Sequence, residues 1–185
     1  MNNEEKIWER LYVEFKNPYG VAALMGNLYA ESALNPLLAN NVKKLGVTST
    51  EYTRQVDSGE RDFISDGIAY GIAQWCYRTR KQWLLNKAKE MKKSVGDLDV
   101  QLEYLIEELK KYSTVNKALR EATSIRAASD IVLTRYEKPA NQSTSVKEKR
   151  ASYGQKYYRT YNLQKQLNIS QKTALKMLIA LNTST

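Results

Sequence analysis

Residues 17–36 read Asn17-Pro18-Tyr19-Gly20-Val21-Ala22-Ala23-Leu24-Met25-Gly26-Asn27-Leu28-Tyr29-Ala30-Glu31-Ser32-Ala33-Leu34-Asn35-Pro36. Asn17 is a good N-cap, and Pro18 suits the first helical position, where its missing N–H costs nothing. Val21, Leu24, Met25 and Leu28 then recur at helical spacing. The helix is expected to stop near Asn35-Pro36, because a residue before proline avoids the helical region. Glu31 lies three residues after Leu28, four after Asn27 and seven after Leu24, so it shares the core-facing side. It also sits near the helix C-terminus, where the dipole opposes negative charge. Burial and dipole both disfavour an ionised carboxyl there, which suits a general acid acting near neutral pH. Position alone fits better an ordinary glutamate at the edge of an apolar face.

Helical periodicity continues on both sides. Upstream, Ile7, Trp8, Leu11, Tyr12 and Phe15 form one face behind Glu4 and Glu5. Downstream, Thr48-Ser49-Thr50-Glu51 has capping-box spacing and predicts a short helix to Ser58-Gly59. Trp83, Leu84, Ala88 and Met91 predict another face, ending before Gly96. Leu98, Leu102, Leu105, Ile106 and Leu109, capped by Asp97, give the clearest one. Val115, Ala118, Leu119 and Ala122 predict a turn or two. Ile125, Ala128, Ile131, Val132 and Tyr136 follow, stopped by Lys138-Pro139, and Val146, Arg150, Tyr153 and Tyr157 predict a helix from about Ser145. Ala174, Met177, Leu178 and Leu181 predict a last one, capped by Ser170. Between them, residues 63–71 look like a small β-hairpin around Asp66-Gly67. The expected fold is therefore mainly α, a helical bundle with a small β-hairpin lobe flanking a cleft.

Composition narrows the chemistry. The 185 residues fit one domain. There is no histidine and one cysteine, Cys76. A Ser-His-Asp triad, a Cys-His dyad, a histidine metal site and an intrachain disulfide are all excluded. Acid–base chemistry must come from carboxylates, Tyr or Lys. The net charge of +9 favours polyanionic partners, namely nucleic acid, anionic membrane or an anionic cell wall. Lys and Arg are scattered rather than gathered on one element. No apolar run is long enough to cross a bilayer, and the N-terminus does not read as a signal peptide.

The run from Gly26 to Pro36 resembles the G-N-x-x-x-E-S-x-x-N-P signature of lysozyme-like muramidases and lytic transglycosylases. Forty residues on, Gly71-Ile72-Ala73-Gln74-Trp75 resembles their G-[LI]-x-Q motif. The chain is most similar to the phage tail lysozyme family, and Glu51-Tyr52-Thr53, the Arg80-Lys81 helix, Tyr136-Glu137-Lys138-Pro139 and the segment 149–155 also look like it. The resemblance spans about residues 5–161. It implies a lysozyme-like α+β domain over 1–161, with 162–185 as a helical extension or linker.

The resemblance further implies a glycosidase that cleaves the bond between N-acetylmuramic acid and N-acetylglucosamine in bacterial peptidoglycan, without metal or cofactor. Glu31 matches the acid, and Ser32 the small polar residue that positions the helix end. Gly71 and Gln74 match the motif lining the cleft. Tyr70 and Trp75 either stack on sugar or anchor the hairpin. The first candidate for a second carboxylate is Asp66, with Asp57, Glu60 and Asp62 as alternatives. Asp66 also fits a plain turn residue, and Glu137 fits a buried ion pair. Members of the wider superfamily with a single Glu use the substrate's acetamido group, so a lytic transglycosylase is the alternative. Such an enzyme would be made in a host cytoplasm and act on the wall, most simply a Gram-positive one, at lysis or from a phage tail. No nucleic-acid partner and no membrane insertion are expected. The readings from other classes are a non-catalytic basic wall- or nucleic-acid-binding module, and a tail structural domain without activity.

Overall fold

The computed structural model describes residues 2–163 and residue 166. Helix α1 (Asn3–Phe15) begins at Asn2, whose side chain accepts the Glu5 amide, and buries Ile7, Trp8, Leu11 and Phe15. Helix α2 (Pro18–Ser32) begins as the sequence predicts, with the Asn17 side chain accepting the Tyr19 and Gly20 amides. Every residue from Gly20 to Leu28 is buried. A helix buried all round belongs at the centre. Around it pack α1, α6 (Ser113–Arg120), α7 (Ile125–Val132) and α8 (Thr144–Tyr157).

The α2–α8 crossing depends on two glycines. A Cβ on Gly26 would lie 2.4 Å from the Arg150 carbonyl oxygen, and one on Gly154 would lie 2.8 Å from the Ala22 carbonyl oxygen. Only glycine allows backbones this close. Asn27 docks the third helix of the group: its Nδ2 donates to Ala23 O at 2.9 Å and to Ser129 Oγ at 2.9 Å. The Gly-Asn pair of the motif is thus a packing device that brings α7 and α8 onto α2.

The remaining helices carry the other half of the site. Helix α3 (Ser49–Asp57) is capped by Thr48, whose hydroxyl accepts the Glu51 amide at 3.1 Å. Helix α4 (Arg78–Met91) packs on α5 (Leu98–Lys110), which is capped by Asp97. A 3-10 turn occupies Val42–Leu45. Helix α7 runs into a π-helical turn, Leu133–Glu137, ended by Lys138 in the left-handed region before Pro139. A second π turn follows α8.

Two expectations are corrected here. Among the described residues there are eight α-helices and no β-strand, so the hairpin lobe is absent. The segment is a string of turns, with single bridges joining Tyr70 to Ala39 and to Trp75. The Asp66 side chain accepts the Ile68 amide at 3.0 Å, so the Asp-Gly signal makes an Asx turn instead of a hairpin turn. Trp83 was expected on the buried face of α4, but it is 55% exposed, with the Lys111 ammonium 4.4 Å above its ring. Lys81, Leu84, Lys87 and Ala88 form that buried face. The helix expected after Ser170 lies outside the described residues. No described helix is long and apolar enough to cross a membrane.

Candidate active site

Helix α2 ends at Glu31-Ser32, and the chain then turns through two left-handed residues, Ala33 (φ 52°) and Leu34 (φ 60°). Such conformations are uncommon for side-chain-bearing residues and gather at functional sites. Ser32 Oγ donates to the Ile72 carbonyl at 2.8 Å. That bond brings the two sequence motifs, 40 residues apart, into one place.

Gly71 is needed for two reasons: its φ is +76°, and a Cβ would lie 2.6 Å from Gln101 Oε1. Gln101, fully buried on α5, accepts the Ile72 amide at 2.9 Å and donates to Pro36 O at 2.7 Å and Val95 O at 2.9 Å. Gln74 (φ 47°) donates through Nε2 to Leu38 O at 3.1 Å and Gly71 O at 2.9 Å. Among the described residues its Oε1 has no protein partner.

Glu31 is one-fifth exposed, and Arg150 Nη2 donates to its Oε1 at 2.6 Å. Arg150 is buried, with Nη1 3.4 Å from both the backbone and side-chain oxygens of Asn27. Its Nε is buried without a partner among the described residues. A recess of about 150 Å³, lined by Ala30, Val146, Lys149, Arg150 and Tyr153, opens beside this pair. A roomier one of about 510 Å³ between α6 and α7 holds none of the residues nominated by sequence.

Behind Glu31 lies a second carboxyl centre. Glu108 on α5 is buried and accepts from Arg80 (2.6 and 2.9 Å), Trp75 Nε1 (2.9 Å), Tyr104 Oη (2.9 Å) and Tyr136 Oη (2.6 Å). Burial opposes its ionisation, but Arg80 and the Tyr136 and Trp75 donors outweigh it and hold Glu108 below the usual range. Glu137, the last residue of the π turn, has no such partner: its Oε1 is sealed and unbonded among the described residues. Burial, followed by the charge of Glu31, pushes its carboxyl up to about 8.

Several nominated residues take other places. Tyr70 and Trp75 were candidates for sugar stacking; both are fully buried, so neither face is open. Tyr70 Oη bonds Thr53 Oγ1 at 2.7 Å, and Trp75 anchors Glu108. Ser32, also buried, positions the helix end and has no free surface for substrate. Asp66 is held by other partners. One of its oxygens accepts from Lys81 Nζ and the Ile68 amide, the other from Tyr52 Oη at 2.7 Å. Its partner Lys81 is entirely buried, and burial pulls that ammonium below the usual lysine range against the pull of Asp66. Asp57 accepts from Val95 N and Ser94 Oγ, Glu60 pairs with Arg54, and Asp62 accepts the Ser65 amide.

Arg150 and Glu108 were missed as site residues. The available signal was a charged residue at core spacing on an apolar helix face: Arg150 between Val146 and Tyr153, and Glu108 beside Leu105 and Leu109. Cys76 is exposed and free. Among the described residues no group of three or more acidic or cysteine side chains is placed to hold a metal ion.

A sequence model of the phage tail lysozyme family matches residues 2–161. No curated protein matches the chain.

Proposed function

Since the chain belongs to the phage tail lysozyme family, whose name points to a peptidoglycan-degrading, lysozyme-type activity, we propose that it is a muramidase cleaving the β-1,4 bond between N-acetylmuramic acid and N-acetylglucosamine. The observation that carries the reading is the Ser32–Ile72 bond. It ties the residue after Glu31 to the Gly71–Gln74 turn, and Glu31 itself is partly open to solvent, which supports a cleft shared by the two motifs. Glu31 gives a proton to the glycosidic oxygen as the C1–O bond breaks and oxocarbenium character develops on the sugar. Gln74 Oε1 is available to accept from a sugar hydroxyl or amide.

A second reading is favoured by one specific observation: Asp57, Glu60, Asp62 and Asp66 are all held by protein partners. With no free carboxylate among these candidates, the substrate's own acetamido oxygen would attack C1. A muramic hydroxyl in place of water would then give the anhydro sugar of a lytic transglycosylase.

The test is digestion of purified peptidoglycan by wild type and Glu31→Gln, with ends identified by mass spectrometry. Reducing muramic ends support the muramidase, and anhydro ends the transglycosylase. Glu31→Gln is expected to lose at least about a hundredfold in rate. Equal products from both proteins would remove Glu31 as the acid. The absence of products from either would leave a wall-binding or tail structural domain.

The net charge of +9 fits attraction to an anionic wall, such as the teichoic-acid-rich wall of Gram-positive bacteria. Activity on whole walls is then expected to fall between about 0.1 M and 1 M salt, as the screening length drops from about 10 to 3 Å. Salt-independent sedimentation with walls would count against this attraction. We place the action at the wall and the lysozyme-like unit at residues 1–161.

A further inference from the structure

To act as an acid Glu31 must carry a proton, yet its nearest charged partner is a guanidinium at 2.6 Å. The groups around it suggest how both conditions are met. Glu137 feels the charges of Glu31 on α2, Arg80 on α4, Glu108 on α5 and Arg150 on α8, and Tyr136 precedes it on its own turn. Two of these pairs are closed, Arg80 with Glu108 and Arg150 with Glu31. Glu137 is the third carboxyl among two guanidiniums. With Glu137 neutral the four remaining charges balance; with Glu137 ionised one negative charge is left over in a buried place, which is costly.

Two of these groups carry an unsatisfied atom. Arg150 Nε is a buried donor without an acceptor, and Glu137 Oε1 is a buried oxygen without a donor. Buried polar atoms are seldom left so, and each such case calls for an explanation. The π turn that carries Glu137 is itself of a kind found often at functional sites.

We propose that Glu31 and Glu137 share one proton, with Arg150 as their common counter-ion, so that Glu137 is the positioning residue that lets Glu31 become an acid. In the resting arrangement the proton is on Glu137 and Arg150 holds the Glu31 carboxylate. In the working arrangement the proton is on Glu31 and the Glu137 carboxylate takes Arg150, through the free Nε. The proton lost by one carboxyl is gained by the other, so the net charge of the three groups does not change. The raised ionisation of Glu137, to about 8, fits a carboxyl that keeps this proton at neutral pH. The inference rests on Glu31 acting as the acid, as proposed above.

The test compares kcat/KM on soluble peptidoglycan fragments across pH for wild type, Glu137→Gln, Glu137→Asp and Glu31→Gln. Wild type is expected to keep its rate up to about pH 8. Glu137→Gln cannot take the charge, so its alkaline limb should move down by about 2 pH units, with at least about a tenfold loss at pH 7 and little change in KM. Glu137→Asp should restore part of the limb. An unmoved limb in Glu137→Gln, with Glu31→Gln inactive, overturns the shared proton and leaves the acid assignment standing. An active Glu31→Gln overturns the underlying reading instead.

Melting temperatures give a readout independent of activity. A carboxyl raised in the folded state destabilises the fold as pH climbs from its unfolded value towards about 8. Glu137→Gln should therefore match wild type at pH 5 and melt above it at pH 8. Equal melting at both values would mean that Glu137 does not hold a proton in that range, and the proposal would fall.

Discussion

Asp66→Asn is expected to destabilise the protein by about 3–5 kcal/mol, read as a lower urea midpoint at unchanged slope. The substitution keeps the shape of the side chain, and its one amide oxygen can still accept the Ile68 amide, while the new NH2 group stands where Tyr52 Oη now donates, so that hydroxyl must turn to accept. What it removes is the one carboxylate that, among the described residues, pairs with Lys81, whose side chain is fully buried. Its other direct contacts among the described residues are the Ile68 carbonyl at 2.8 Å, Tyr52 Oη at 3.4 Å and the Phe63 ring at 4.2 Å, none of them an anion, with Asp62 adding only a weaker pull. An uncompensated buried charge is the expensive outcome, while removing both partners costs far less. The double variant Asp66→Asn, Lys81→Met should therefore recover most of the loss. The double variant also separates structure from chemistry. Retained peptidoglycan cleavage in a well-folded double variant confines Asp66 to bracing the 61–70 turns against α4. A stable but inactive one would return Asp66 to the role of second carboxylate.

Glu108→Ala should cost a similar amount, about 3–5 kcal/mol, for a different reason. Four side chains from four segments point donors at this one carboxylate: Trp75, Arg80, Tyr104 and Tyr136. Its removal leaves the Arg80 guanidinium unpaired, and leaves donors of Trp75 and Tyr136 unsatisfied in the core. The pH dependence has a definite sign. Glu108 is held below the usual glutamate range, so its contribution is complete above its unfolded value, about 4.5. It is lost as pH falls through the lower, folded value. The stability gap between wild type and Glu108→Gln should close as pH drops below about 4. A gap constant from pH 7 to pH 3 would show that the charge on Glu108 is not what stabilises the cluster.

The helices were legible because each carried an apolar stripe and several also carried a start signal. Asn17-Pro18, Thr48 with Glu51, and Asp97 all cap where the sequence placed them. These are interactions between residues two or three apart, which a sequence displays directly. The hairpin was misread because an Asp-Gly pair serves equally in an Asx turn, and the choice between them was settled by Lys81, 15 residues away. Glu31, Ser32 and the Gly71–Gln74 turn were legible as motifs. Which side chains face them was not, because Arg150 reaches Glu31 across 119 residues of sequence. The burial of Tyr70 and Trp75 was equally invisible: an aromatic residue beside a cleft motif reads alike whether its ring faces inward or outward.

That crossing of α8 over Gly26 has a kinetic consequence. Contacts between distant parts of a chain carry a loop-closure cost that must be met before they stabilise anything, so they tend to form late. The Glu31–Arg150 contact closes one of the longest loops in the molecule, and it requires the Gly26–Gly154 backbone approach to be in place. Helices α1 to α7 can gather around α2 while its last turn still lacks a guanidinium. The acid therefore acquires its electrostatic setting only as the final described helix docks, which makes competence for chemistry a product of complete folding and not of α2 alone.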